Sequence, residues 1–197
     1  MRVILASKSP RRREILSMLG VQFEVLSADA DEHSTEQDPV ALVTELSLRK
    51  GRAVRDLLSR QGEWDDDTLV IAADTVVAAE GEILGKPVDN ADAARMLRML
   101  SGSTHEVLSG VALLYGDREL AAAECTGVVF AEMSDRDIAW YVASGEPADK
   151  AGAYAVQGLA SLFIKALKGD YFNVVGLPIY RLNELVKELL GLALTEL

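Results

Sequence analysis

The chain has 197 residues, enough for one well-filled domain with room for two lobes and too few for two ordinary independent domains. Its 31 acidic against 20 basic residues leave a net charge of −11, a field that repels DNA and RNA and disfavours a nucleic-acid partner. One cysteine, Cys125, excludes an intrachain disulfide and a cysteine zinc cluster and suits a reducing, cytoplasmic compartment; the apolar run in "MRVILAS" is too short for a signal peptide, and no run approaches a membrane span.

Residues 3–6 read as a short buried strand that ends in hydroxyls. A helix follows at once, with Ser9 as N-cap, Pro10 as first helical residue, Ile15, Leu16 and Leu19 inward and Gly20 as its stop. "VQFEVLS" alternates and predicts a second strand; after the acidic residues Asp29, Asp31 and Glu32 a helix is expected over residues 39–58, with Leu42, Leu46, Ala53 and Leu57 inward. "TLVIAADTVVAAEGEILGKP" predicts a buried strand to Ala73, a polar pair Asp74 and Thr75, and a second extended run that turns at Glu80-Gly81.

A helix over residues 90–100, stopped by Gly102, precedes two strands about a Gly116-Asp117 turn, with Cys125 read as core. Ser134 and Asp137 resemble a capping box opening a helix to Ser144, with Ile138, Tyr141 and Val142 on its inner face. A glycine-punctuated loop over 145–158 follows, then a hairpin of "LASLFIKAL" and "YFNVVG" about Gly169-Asp170, then a terminal helix over 182–190. Strands and helices mixed along the whole length, without an internal repeat, give the α/β class.

Three arginines, Arg11 to Arg13, sit at the start of the first helix of an acidic protein. A helix N-terminus offers unpaired N–H groups and partial positive charge, Ser7 and Ser9 add hydroxyl donors, and Arg11 and Arg12 add forked donors suited to phosphate oxygens. An ordinary capped helix with solvated arginines fits the spacing equally well. Adjacent helix positions point about 100° apart, so the three cannot share one direction, and Arg13, farthest from the helix start, is the one expected to be solvated.

Asp74 ends an apolar run, where a carboxylate belongs only if something binds it, although strand-end aspartates are common. Glu32, like Asp29 and Asp31, taken singly reads first as part of a solvated acidic loop. Two carboxylates brought together beside a phosphate site would hold Mg²⁺, which takes oxygen ligands and keeps several waters. Lys50 and Lys86, taken singly, read as solvated lysines. His33 and His105 are isolated, which argues against a histidine metal site, and neither a G-x-x-x-x-G-K-[ST] loop nor a G-x-G-x-x-G fingerprint occurs.

Taken together, "LASKSPRRREIL", Asp31-Glu32, "AADTVV", "ILGKP", "LSGSTHEV", "YVASGEPADKAGAYAVQG" and "VVGLPI", in this order over nearly the whole chain, resemble the Maf family of nucleoside triphosphate pyrophosphatases. The resemblance implies one domain over residues 1–197, an elongated mixed sheet flanked by helices, in two lobes with a cleft between them, similar to inosine triphosphate pyrophosphatases, and a homodimer. It also implies that Ser7, Ser9, Arg12, Lys50 and Lys86 hold phosphates, that Glu32 and Asp74 hold a divalent cation (Mg²⁺, Mn²⁺ or Co²⁺), and that Asp74 is the catalytic proton acceptor. Arg11, Thr75 and Gln157 match the branch preferring dTTP and UTP, whose alternative branch cleaves 7-methyl-GTP.

The implied activity is metal-assisted water attack on the α-phosphorus of dTTP, UTP and modified uridine triphosphates, with no nucleic acid and no membrane involved. A non-catalytic nucleotide sensor that restrains cell division through protein partners is the alternative. The sequence departs from the family pattern at Gly51 and Ala155, where alanine and glycine are usual, and at Ser109-Gly110, where Thr-Gly is more frequent.

Overall fold

The computed structural model describes all 197 residues. Seven strands form one sheet in the order β2-β1-β3-β5-β6-β7, with β4 paired to β3 outside that path. They are β1 (Arg2–Ala6), β2 (Glu24–Val25), β3 (Thr68–Ala79), β4 (Glu82–Leu84), β5 (Thr104–Tyr115), β6 (Arg118–Phe130) and β7 (Ile164–Lys168). The helices are α1 (Pro10–Met18), α2 (Pro39–Gln61), α3 (Asn90–Leu100), α4 (Asp135–Ala143), α5 (Tyr171–Val175) and α6 (Ile179–Leu190). β1 runs parallel to β2 and β3, whereas β4 is antiparallel to β3 and β7 to β6, so the sheet is mixed and the α/β expectation holds.

By chain contacts the protein divides into two compact units, one of Met1–Asp74, Ser109–Glu124 and Gly176–Leu197, the other of Thr75–Leu108 and Cys125–Val175. The first has a core of Ile4, Val54, Leu58, Val70, Ala112 and Leu114. The second is built around Leu84, Leu97, Leu100, Phe130, Tyr141 and Tyr154. No helix is long and apolar enough to cross a membrane.

Four helix boundaries follow their local signals. α2 starts at Asp38, whose carboxylate accepts from the Val40 and Ala41 amides, and stops at Gly62 with φ 71°. α3 opens on the Asp89 cap, and α4 on the reciprocal Ser134–Asp137 capping box. At α1 the N-cap is Ser9, but its side chain makes no capping bond.

Several expectations are corrected. The buried face of α2 is Val43, Leu46, Ser47, Val54 and Leu58, not the row through Leu42, Ala53 and Leu57, which are only half-buried. Gly110 of β5 allows that packing: an ideal Cβ there would stand 2.1 Å from the Val43 carbonyl oxygen, so the helix lies backbone-close on the strand, whereas one on Gly51 would meet a side chain, 2.4 Å from Leu114 Cδ1.

Strand β2 is two residues long rather than spanning "VQFEVLS". β3 runs unbroken through Asp74 and Thr75, which places Asp74 inside a strand and not at its end. Cys125 is exposed, not core. β7 pairs with β6 over Gly127–Phe130.

The predicted hairpin does not form. "LASLF" is a 3-10 turn, β7 pairs with β6, and "YFNVV" is helix α5. Polar anchoring decides this: the Asn173 amide donates to the Val107 carbonyl at 2.9 Å and to Thr126 Oγ1 at 3.0 Å, while Asp170 Oδ1 accepts from the Phe172 amide at 2.8 Å. Each of these bonds fixes a turn of helix where an extended strand would leave the groups unpaired.

Candidate functional site

The first unit brings together most of the phosphate and metal candidates. Ser7 follows β1 directly and is buried; its hydroxyl accepts from the Ser9 amide at 3.1 Å. Arg12 lies one turn into α1, where Nε donates to the Gly176 carbonyl at 2.7 Å and Nη1 to Ser7 Oγ at 3.4 Å. The residue keeps partial exposure, yet burial of its guanidinium is the main influence on its pKa and pulls it down. Asp74 opposes that shift, Arg11 adds to it and Glu32 opposes it, so three neighbouring charges act on Arg12. Arg13 is exposed, as its place in the helix predicted.

Lys50, on α2, ties the two metal candidates together. Its Nζ donates to Asp74 Oδ1 at 2.5 Å and stands 3.2 Å from Glu32 Oε1. Lys50 and Asp74 are mostly buried, with side-chain exposures of 19% and 11%, while Glu32 is 64% exposed. A mid-strand carboxylate buried to this degree needs a partner, and the lysine supplies it.

Glu32 and Asp74 therefore converge on a single positive charge, and their hard oxygens suit Mg²⁺ or Mn²⁺. No group of three or more His, Cys, Asp or Glu side chains gathers into a metal-holding arrangement. A cation held by this pair would take its remaining oxygens from water or from a phosphate.

The other candidates belong to the second unit. Thr75 follows Asp74 along β3 and is half-buried; Lys86 is exposed after β4; Gln157 is exposed in the loop before the 3-10 turn Leu159–Phe163. The Lys86 loop is anchored by the Gly152 amide, which donates to the Gly85 carbonyl at 3.0 Å. Neither departure from the family pattern in helix or loop disturbs the backbone. Gly51 meets a side-chain tip of Leu114, and Ala155 has no positive φ, so it needs no glycine.

Sequence reasoning missed the residues that brace the site. Arg49 Nη1 donates to the carbonyls of Asp31 and His33, at 3.2 and 2.7 Å, so one guanidinium holds the backbone on each side of Glu32. Glu45, one helical turn earlier, takes Arg49 Nη2 at 2.5 Å and the Ser34 hydroxyl at 2.8 Å. The Glu45/Arg49 spacing of four residues was a legible signal of a helical pair, but its tie to the acidic loop was not. His105 was likewise read only as isolated; it is buried, with Nε2 2.8 Å from the Tyr154 hydroxyl and Nδ1 without a partner, and burial lowers its pKa to about 4.

The arginine-rich helix start, with Ser7, and a lysine paired with two carboxylates lie together on an α/β scaffold. The family model described as "Maf-like protein" matches residues 2–189, and the chain belongs to this family. A relative from Symbiobacterium thermophilum, named dTTP/UTP pyrophosphatase, is 49% identical over 94% of this chain and 93% of its own length. A relative of the same name from Bacillus cereus is 44% identical over 95% of each chain. Among solved structures, that of the Staphylococcus aureus Ham1 protein superposes with a TM-score of 0.48 at 14% identity, over 67% of this chain and 73% of that one.

Proposed function

We propose that the protein is a dTTP/UTP pyrophosphatase, a hydrolase that cleaves the nucleoside triphosphate between its α- and β-phosphates. The relatives that carry this name align over nearly the whole chain. The structural observation behind the reading is the Lys50 ammonium lodged between Asp74 and Glu32, two carboxylates whose charges also reach Arg12.

In this reading Ser7, Ser9 and Arg12, with the first-turn amides of α1, bind phosphate oxygens. Lys50 and Lys86 neutralise charge as it builds on the phosphates, and Arg11, Thr75 and Gln157 select the pyrimidine. Asp74 takes a proton from the attacking water; oxygen bonds to the α-phosphorus, the bridging bond breaks, and nucleoside monophosphate and pyrophosphate leave. Glu32 and Asp74 would hold a divalent cation, which when bound screens phosphate charge and acidifies coordinated water. With both carboxylates so engaged, Lys50 would be available to the substrate phosphates.

The test is turnover of a triphosphate panel by the purified protein with Mg²⁺, Mn²⁺ or Co²⁺. Pyrophosphate release from dTTP and UTP well above that from 7-methyl-GTP is the expected result. Equal or faster release from 7-methyl-GTP refutes the pyrimidine assignment, and tight nucleotide binding without pyrophosphate under any metal refutes the enzyme.

A further inference from the structure

We propose that Glu146 is a positioning residue for base selection: with the Tyr141 hydroxyl, its carboxylate fixes the backbone on both sides of Gln157. The proposal rests on the reading of Gln157 as a base contact. Tyr141 lies fully buried on α4, and its hydroxyl donates to Glu146 Oε1 at 2.7 Å. The same hydroxyl accepts from the Ala155 amide at 3.2 Å, two residues before Gln157. Beyond Gln157, the Leu159 amide donates to Glu146 Oε2 at 3.0 Å and the Ala160 amide to Oε1 at 3.4 Å.

The carboxylate fills the space beneath the loop. An ideal Cβ on Gly158 would stand 2.2 Å from Glu146 Oε2, so a side chain at this position would have to displace the carboxylate. Glu146 is itself held, because its amide donates to Ser144 Oγ at 3.2 Å. Gln157 is exposed, so the aim of its amide depends on the backbone that carries it. A site built on a loop keeps its geometry only when neighbouring groups brace that loop.

Two oxygens here serve three donors, which a carboxylate does well and a carboxamide cannot. In Glu146→Gln one oxygen becomes an NH₂ group that faces donors, and the Leu159 or Ala160 amide loses its acceptor. The substitution keeps the side chain's size. Tyr141→Phe deletes only the hydroxyl that links Glu146 to the Ala155 amide.

The experiment compares kcat/KM for dTTP and dCTP, which differ at the base edge and share the triphosphate, in full-length wild type, Glu146→Gln, Tyr141→Phe and Gln157→Ala. We expect the dTTP:dCTP ratio to fall about tenfold or more in all three variants. We also expect the combination of Glu146→Gln with Gln157→Ala to fall no further than Gln157→Ala alone. If Gln157→Ala lowers the ratio while Tyr141→Phe and Glu146→Gln keep the wild-type value, or slow both substrates equally, the positioning role is overturned and the base reading survives. A wild-type ratio in Gln157→Ala overturns both. Should Glu146→Gln fail to fold, the ratio in Tyr141→Phe decides by the same criteria.

Discussion

Gly110→Ala probes how the fold carries the site, because β5 meets the backbone of α2 at this residue. The added methyl would stand 2.1 Å from the Val43 carbonyl oxygen, 2.4 Å from its carbon and 2.9 Å from the Thr44 nitrogen. All three are main-chain atoms, so no side chain can swing away; α2 must retreat by more than an ångström before the oxygen reaches the 3.4 Å of ordinary contact. Overpacking of this kind costs about 1–3 kcal/mol. In a chain of this length that lowers Tm by roughly 2–12 °C.

Lys50 lies about two turns further along the same helix and moves with it, and a displacement of about 1 Å at a reacting group costs on the order of 10²-fold in rate. Gly51→Ala is the control. Its closest contact is the flexible tip of Leu114, its next contacts are an ordinary 3.5 and 3.6 Å, and alanine gains about 1 kcal/mol of helix propensity, so it should be far milder. Thermal melts and dTTP kinetics on the two variants read both effects. A Gly110→Ala protein with Tm within about 1 °C of wild type and unchanged kcat/KM refutes the close-packing argument.

Asp74→Asn removes the negative charge that faces Lys50 and the proton acceptor together, so dTTP turnover should fall by about 10²–10⁴-fold with far-UV circular dichroism unchanged; activity near wild type at saturating metal counts against the assignment. Arg49→Met frees the carbonyls beside Glu32 and should weaken Mn²⁺ binding by roughly 10–100-fold in an electron paramagnetic resonance titration without substrate, whereas unchanged affinity means that Glu32 needs no brace. His105, ordinarily near 6.5 and lowered to about 4 in the fold, binds its proton more readily in the unfolded chain. Its contribution to stability is therefore complete above pH 6.5 and declines as pH falls towards 4, by about 3 kcal/mol in all. Urea midpoints of wild type against His105→Phe should converge or cross over that window, and parallel pH curves would exclude the effect.

Much of the fold was legible in the chain because it rests on neighbours in sequence. The strand-to-helix start at Ser9-Pro10, the capped helix α3, the capping box of α4 and the Gly116-Asp117 turn all rest on local capping or turn chemistry. The candidate residues Ser7, Arg12, Glu32, Lys50 and Asp74 were likewise named from motifs. Contacts distant in sequence decided the rest. Which face of α2 is buried depends on Gly110 of β5, and whether "YFNVV" is strand or helix depends on Thr126 and Val107.

The same division runs through the site. The sequence pairs Glu32 with Asp74 as cation ligands and gives Lys50 only as a phosphate contact; that the lysine ammonium meets both carboxylates is decided by the tertiary structure, because an ion pair exists by distance and burial and not by residue type. Arg49 and Glu146 escaped notice for a related reason: each acts on backbone groups far along the chain, and backbone donors and acceptors are present at nearly every position, so no pattern of side chains marks which of them a given residue will hold.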